Sequence, residues 1–227
     1  MVAARDARRP LRGVFVTGTG TEVGKTVVAA AIARTLAVGG ARVAVFKPAV
    51  SGLDGGGEPD HALLRRASGS TQPDDGIVPY RYGPPLSPHL AAELAGERID
   101  PRRLVRAARA AASGAEQLVC EGAGGLMVPL TPGYLIRDLA RELGLPVVIA
   151  ASPGLGAINH TLLTLEAARA VGLEVSSVVL TPWPDDPSAM ERSNRDAIER
   201  LGAVSTGVLP RFDLEAADSW PTLRPGE

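Results

Sequence analysis

This sequence predicts an α/β fold, a single domain with a mostly parallel central sheet flanked by helices. Three observations carry that expectation. Short apolar runs alternate along the chain with helix-length segments, the order that parallel βαβ units require. Several runs, among them Val147-Val148-Ile149-Ala150-Ala151, lack polar alternation, as strands covered on both faces do. The first run, Val14-Phe15-Val16-Thr17, feeds a glycine-punctuated loop whose Gly24-Lys25-Thr26 opens an alanine-rich stretch. That is the strand–loop–helix context of a phosphate-cradling loop, so the expected domain is a P-loop fold.

Taken in order, strands are expected at residues 14–17, 42–46, 117–121, 146–151, 175–180 and 205–209. Helices are expected at residues 25–38, 61–67, 88–95, 101–113, 136–143, 158–171 and 187–201. Pro88, Pro101 and Pro187 sit where a helix starts, because the first turn leaves its N–H groups unused. Gly39-Gly40, Gly144 and Gly172 sit where C-terminal caps belong. Residues 1–12 read as a flexible N-terminal arm, 13–211 as the P-loop domain, and 212–227 as a C-terminal tail expected to be mobile. The glycine-rich stretch 53–59 reads as a mobile loop.

With 45% hydrophobic residues in 227, the chain suits one large core. The formal net charge of −1 argues against a global attraction to nucleic acid or to an anionic membrane. Arg5, Arg8, Arg9 and Arg12 form one local basic patch, with no apolar stretch after it that would make a secretory signal. A lone cysteine, Cys120, excludes an internal disulfide and fits a reducing cytoplasm. No apolar run reaches membrane-spanning length, and neither zinc-ligand spacing nor a Ser-His-Asp arrangement is present.

Glycines let the backbone N–H groups of the loop converge on phosphate oxygens, and the helix N-terminus adds partial positive charge. Lys25 is expected to reach the outer phosphates and the Thr26 hydroxyl to ligate Mg²⁺. The spacing departs from the usual G-x-x-x-x-G-K-[ST]: Thr19 stands where the first glycine falls, with Gly18 and Gly20 on either side.

In open α/β sheets ligands gather beyond the carboxyl ends of the strands, so the residues following each strand matter most. Lys47, beside Pro48, is a candidate second cation or a solvated charge. Glu121, ending an apolar run before Gly122-Ala123-Gly124-Gly125, occupies the usual place of a carboxylate that supports Mg²⁺. Asp60, taken alone, reads as an N-cap for the following helix. Residues 151–160 make a second glycine-rich helix entry, an anion site suited to carboxylate or phosphate, in which Asn159 caps or binds. His61 and His160 read as structural or exposed.

Lys25-Thr26, Lys47-Pro48, Ser51-Gly52, Glu121-Gly-Ala-Gly-Gly and Leu155-Gly-x-Ile-Asn-His160, in this order, resemble the dethiobiotin synthetase family from about residue 13 to about residue 210. The longer phosphate loop of that family also accounts for Thr19. The resemblance implies a cytoplasmic, Mg²⁺- and ATP-dependent ligase that closes the ureido ring of dethiobiotin from 7,8-diaminononanoate and CO₂ in biotin biosynthesis. One amine is carbamoylated, the carbamate oxygen attacks the γ-phosphate, and the second amine displaces phosphate from the mixed anhydride. Lys25 and Lys47 are then catalytic, stabilising charge on the carbamate and the transferring phosphoryl group. Thr26, Asp60 and Glu121 hold Mg²⁺. Glu22, Val23, Gly24, Lys25, Thr26, Val27, Asp60, Glu121, Gly122, Ala123, Gly124, Thr181, Pro182 and Pro210 line the nucleotide. Thr21, Ser51, Gly154, Gly156 and Asn159 bind the substrate, whose carboxylate the 154–159 entry takes. A homodimer with substrate at its interface is implied.

Two departures stand out. Thr181-Pro182-Trp183 replaces the Asn-Asp whose Asn reads adenine, which is expected to weaken base discrimination and admit other nucleoside triphosphates. A substrate-carboxylate tyrosine found in some members is absent near residues 191–194. Two competing readings keep the fold: a switch ATPase of the partitioning or carrier type, and an amidoligase-like module. The first is expected to carry an extra lysine early in the loop, which 19–23 lacks. The second is expected to be fused to a further domain, for which the chain leaves no room.

Overall fold

A computed structural model describes residues 10–216 and 219–226; residues 1–9 of the expected arm, with Arg5, Arg8 and Arg9, lie outside the described residues. In chain order the elements are β1 (Gly13–Gly18), α1 (Lys25–Val38), β2 (Val43–Phe46), a 3-10 turn (Leu53–Gly55), α2 (Asp60–Ser68), α3 (Asp74–Ile77), α4 (Pro88–Leu94) and α5 (Pro101–Ala111). They continue with β3 (Gln117–Gly125), β4 (Pro129–Thr131), β5 (Tyr134–Leu135), α6 (Ile136–Leu143), β6 (Val147–Ala151), α7 (Ala157–Arg169), β7 (Val175–Trp183), α8 (Ala189–Gly202) and β8 (Thr206–Pro210).

Six strands form one parallel sheet in the order β2-β3-β1-β6-β7-β8, and β4 and β5 make a separate antiparallel pair. Alternation splits the side chains of β1 between two cores: Phe15 goes to one face, Val14 and Val16 to the other. Side chains from α4 to α8 cover the first face, and α1 and α2 cover the second. The alanines of α1 let it lie close on the sheet, with Val28 through Ala33 fully buried.

Helix starts follow the sequence signals closely but not throughout. Pro88 and Pro101 occupy first-turn positions, and the Asp100 carboxylate accepts from the Arg102 N–H at 2.9 Å. Pro187 does not begin a helix. Ser188 caps instead, paired reciprocally with Glu191, and α8 starts at Ala189. Two strands outrun expectation. β3 continues past Glu121 because β1 follows it after a register shift, Gly18 pairing with Gly125. β7 continues through Thr181 and Pro182 to a Trp183–Pro210 pairing. The edge strand β2 is closed by a side chain: Gln72 Oε1 accepts from the Val45 N–H at 2.9 Å, and its Nε2 donates to the Val45 carbonyl at 3.2 Å.

The described part of the tail lies packed against the second face. Trp220 and Leu223 are buried in that core, Phe212 and Trp220 rings sit 5.3 Å apart, and the Leu223 N–H donates to Thr35 Oγ1 on α1 at 2.9 Å.

Candidate active site

The chemistry-bearing residues lie beyond the carboxyl ends of β1, β2 and β6 and in the carboxyl-terminal halves of β3 and β7, where β1 lies mid-sheet between β3 and β6. Residues 19–24 link β1 to α1. Gly24 caps α1 at φ 82°, and a Cβ there would meet Thr181 Cγ2 at 2.5 Å, so this position requires glycine. No side chain caps α1 and its first turn carries no acidic residue, which leaves its N–H groups free for an anion. Lys25 Nζ donates to the Gly20 carbonyl at 2.9 Å, across the loop that it closes. Burial holds the Lys25 pKa below the ordinary lysine value, with Glu121 and Asp60 pulling the other way. Glu22 stands exposed beside Thr21, at φ 58°.

Lys47 leaves β2 and meets two carboxylates, Glu121 Oε1 and Asp60 Oδ2, each at 2.7 Å. The Thr26 hydroxyl donates to the same Glu121 Oε1 at 2.9 Å. Thr26, Lys47, Asp60 and Glu121, carried by four different elements, thus form one cluster. Asp60 does not cap its helix: it is the first residue of α2, Pro59 precedes it, and its carboxylate turns to Lys47 instead. Burial lowers the Lys47 pKa, but the two carboxylates outweigh it and hold the ammonium above its ordinary value. Burial raises Asp60, yet Lys47 and Thr26 override it and bring the carboxyl below the usual range. For Glu121, wholly buried, desolvation prevails over Lys47 and the pKa rises.

The donor set fits a hard cation. Two carboxylates and a hydroxyl supply oxygen ligands, and Glu121 Oε2 is buried without a hydrogen-bond partner, an acceptor that such an ion would satisfy. No cluster of three or more His, Cys, Asp or Glu suited to a metal occurs among the described residues, so phosphate oxygens would have to complete the shell.

Across the sheet, β6 ends at Ala151 and residues 152–156 turn into α7 through Gly156, at φ 91°. Asn194 of α8 holds this turn, its Nδ2 donating to the carbonyls of Pro153 at 2.8 Å and Gly154 at 3.0 Å. Asn159 lies in the first turn of α7 with an exposed side chain and does not cap it. Ser51 sits on a segment laced to residues 80–86 by backbone bonds, and its Oγ donates to the Leu86 carbonyl at 2.7 Å. Thr181 is buried against the phosphate loop, and Pro210 ends β8 opposite Trp183.

A family model described as an AAA domain matches residues 12–214. The ATP-dependent dethiobiotin synthetase BioD of Anaeromyxobacter dehalogenans (strain 2CP-1) is 48% identical over 180 residues, covering 78% of this chain and 81% of that one. That of Bacillus subtilis (strain 168) is 36% identical over 204 residues, covering 89% and 88%. The chain belongs to the dethiobiotin synthetase family. Among solved structures, a ParA family ATPase from Chlorobium tepidum TLS aligns with TM-score 0.55 at 15% identity, covering 91% of this chain and 88% of that one, a likeness of fold alone.

In this member of the dethiobiotin synthetase family, Thr26, Lys47, Asp60 and Glu121, the residues expected from the sequence, lie in one connected cluster. Sequence reading missed Asn194, whose only signal was a polar residue on the inward face of an amphipathic helix.

Proposed function

We propose that this chain closes the ureido ring of dethiobiotin from 7,8-diaminononanoate, CO₂ and a nucleoside triphosphate. One observation carries the assignment: Thr26, Lys47 and Asp60 converge on or beside Glu121 at the mouth of the phosphate loop. The loop N–H groups and Lys25 bind the triphosphate, with Lys25 exchanging the Gly20 carbonyl for phosphate oxygen. Lys47, kept charged by its two carboxylates, stabilises the negative charge that develops as the carbamate oxygen attacks the γ-phosphate. The second amine then attacks the carbamoyl carbon and phosphate leaves, with one C–N bond formed and one C–O bond broken. The residues that would hold Mg²⁺ are Thr26, Asp60 and Glu121, where the ion would neutralise charge on the triphosphate.

Glu22 to Val27, Gly122 to Gly124, Thr181, Pro182 and Pro210 line the nucleotide in this reading. Thr21, Ser51, Gly154, Gly156 and Asn159 serve the diamine and its carboxylate. Thr181, whose methyl lies against the loop, offers one hydroxyl in place of a side-chain amide and leaves the base weakly read. The working form is a cytoplasmic homodimer with substrate at the subunit interface.

Phosphate release with Mg·ATP and bicarbonate, measured with and without 7,8-diaminononanoate, tests the assignment. Release that depends on the diamine and yields a cyclic urea by mass is expected. Rapid hydrolysis indifferent to the diamine would overturn it in favour of a switch ATPase.

A further inference from the structure

We infer that Asn194 is a positioning residue for the substrate carboxylate, fixing the turn that presents the N-terminus of α7; the inference rests on the ligase reading above. Asn194 is 8% exposed, and both of its amide hydrogens go to successive carbonyls of one turn, Pro153 at 2.8 Å and Gly154 at 3.0 Å. Because both partners are acceptors, only the amide nitrogen can face them. The Gly154 carbonyl also accepts from the Ala157 N–H at 3.1 Å. With both carbonyls engaged by Asn194, what remains unpartnered at the turn is N–H groups. Those of Gly156, Ile158 and Asn159 have no acceptor among the described residues, and no side chain caps the helix.

Pro153 is buried, but the tip of the turn has no such hold. Ser152 is exposed and Leu155 is 95% exposed, so apolar packing does not hold its tip. Asparagine is also a poor choice for a helix interior, where its amide competes with the backbone. Here that amide is used across a helix–loop contact 40 residues away in sequence. An aspartate of the same shape would aim oxygen at oxygen and add negative charge beside an anion site.

The test is steady-state kinetics at saturating Mg·ATP and bicarbonate with two diamines: 7,8-diaminononanoate, and 2,3-diaminooctane, which lacks only the carboxylate carbon. For Asn194→Ala the KM for the acid is expected to rise about tenfold, the size of a lost buried hydrogen bond. Its kcat and its KM for ATP should change less than about twofold, and the advantage of the acid over 2,3-diaminooctane should shrink about tenfold. Asn194→Asp, which keeps the packing, should show the larger KM effect and serves alone if the alanine variant does not fold. Equal losses on both diamines, or a loss confined to kcat or to ATP, would overturn the role of Asn194 and leave the ligase reading standing. Failure of the unmodified protein to respond to the diamine would overturn both.

Discussion

Gly24 and Thr181 touch across the site: a Cβ on the glycine would lie 2.5 Å from the threonine methyl. The phosphate loop is therefore seated on the residue of β7 that stands where the nucleotide base is expected, so one contact joins the two expected ends of the nucleotide site.

Gly24→Ala should weaken ATP binding by about tenfold or more, since it adds a clash to a left-handed φ that costs a side chain about 1 kcal/mol. Thr181→Ser removes the methyl and should restore part of the loss in the double variant. Titration of all four proteins with ATP checks this; strictly additive effects would contradict the contact.

Lys47→Ala should reduce turnover at least a hundredfold, because it removes a developing-charge partner and leaves Glu121 and Asp60 facing each other. ATP affinity should stay within severalfold. Lys47→Arg should not rescue, since a planar fork cannot enter a pocket made for a compact ammonium. Full activity of either variant would remove Lys47 from the mechanism.

CTP and GTP should each support diamine-dependent phosphate release, with kcat/KM within about tenfold of ATP, since a single well-made amide-to-base contact is worth about 1–3 kcal/mol of discrimination. Competition among the three nucleotides in one assay measures it. A preference for ATP beyond a hundredfold would show that another group reads the base.

Gln72→Ala should destabilise the protein by about 1–3 kcal/mol in urea unfolding, as it strips both backbone partners from Val45 on the edge strand. Gln72→Glu should cost no less, since it keeps the acceptor for the Val45 N–H but sets a carboxylate oxygen against the Val45 carbonyl. An unchanged midpoint for the alanine variant would show that solvent replaces the side chain.

Trp220→Ala should cost about 3–5 kcal/mol, the range for emptying a large aromatic site, and should lower the melting temperature without changing the KM for diamine. A shift below 1 kcal/mol would mean that the tail covers α1 without contributing to its stability.

The sequence made the strand-end chemistry readable where residue type and place coincide. Gly24, Lys25 and Thr26 follow a strand and open a helix, and all three lie where the pattern put them. Asp60, read by itself, looked like a cap, and only the family resemblance made it a site residue, because a carboxylate at a helix start looks the same whether it turns to its own backbone or to a distant lysine. Glu121 was found, but β3 runs on beyond it, since glycines that signal a loop also pair readily with the Gly18 strand end. The partners of Gln72 and Asn194 were not legible. Each completes backbone bonds of a segment far away in sequence, and such pairings leave no local pattern.

The bond from Leu223 to Thr35 spans 188 positions. While the chain is being synthesised, α1 emerges early with an oily flank, and its cover does not exist until residue 223 has been joined. A ribosome-bound intermediate that lacks residue 223 therefore carries a helix with one flank still open to solvent, and to chaperones that recognise such flanks. A triphosphate bound once β7 is in place would favour the folded state and help hold it until the cover docks.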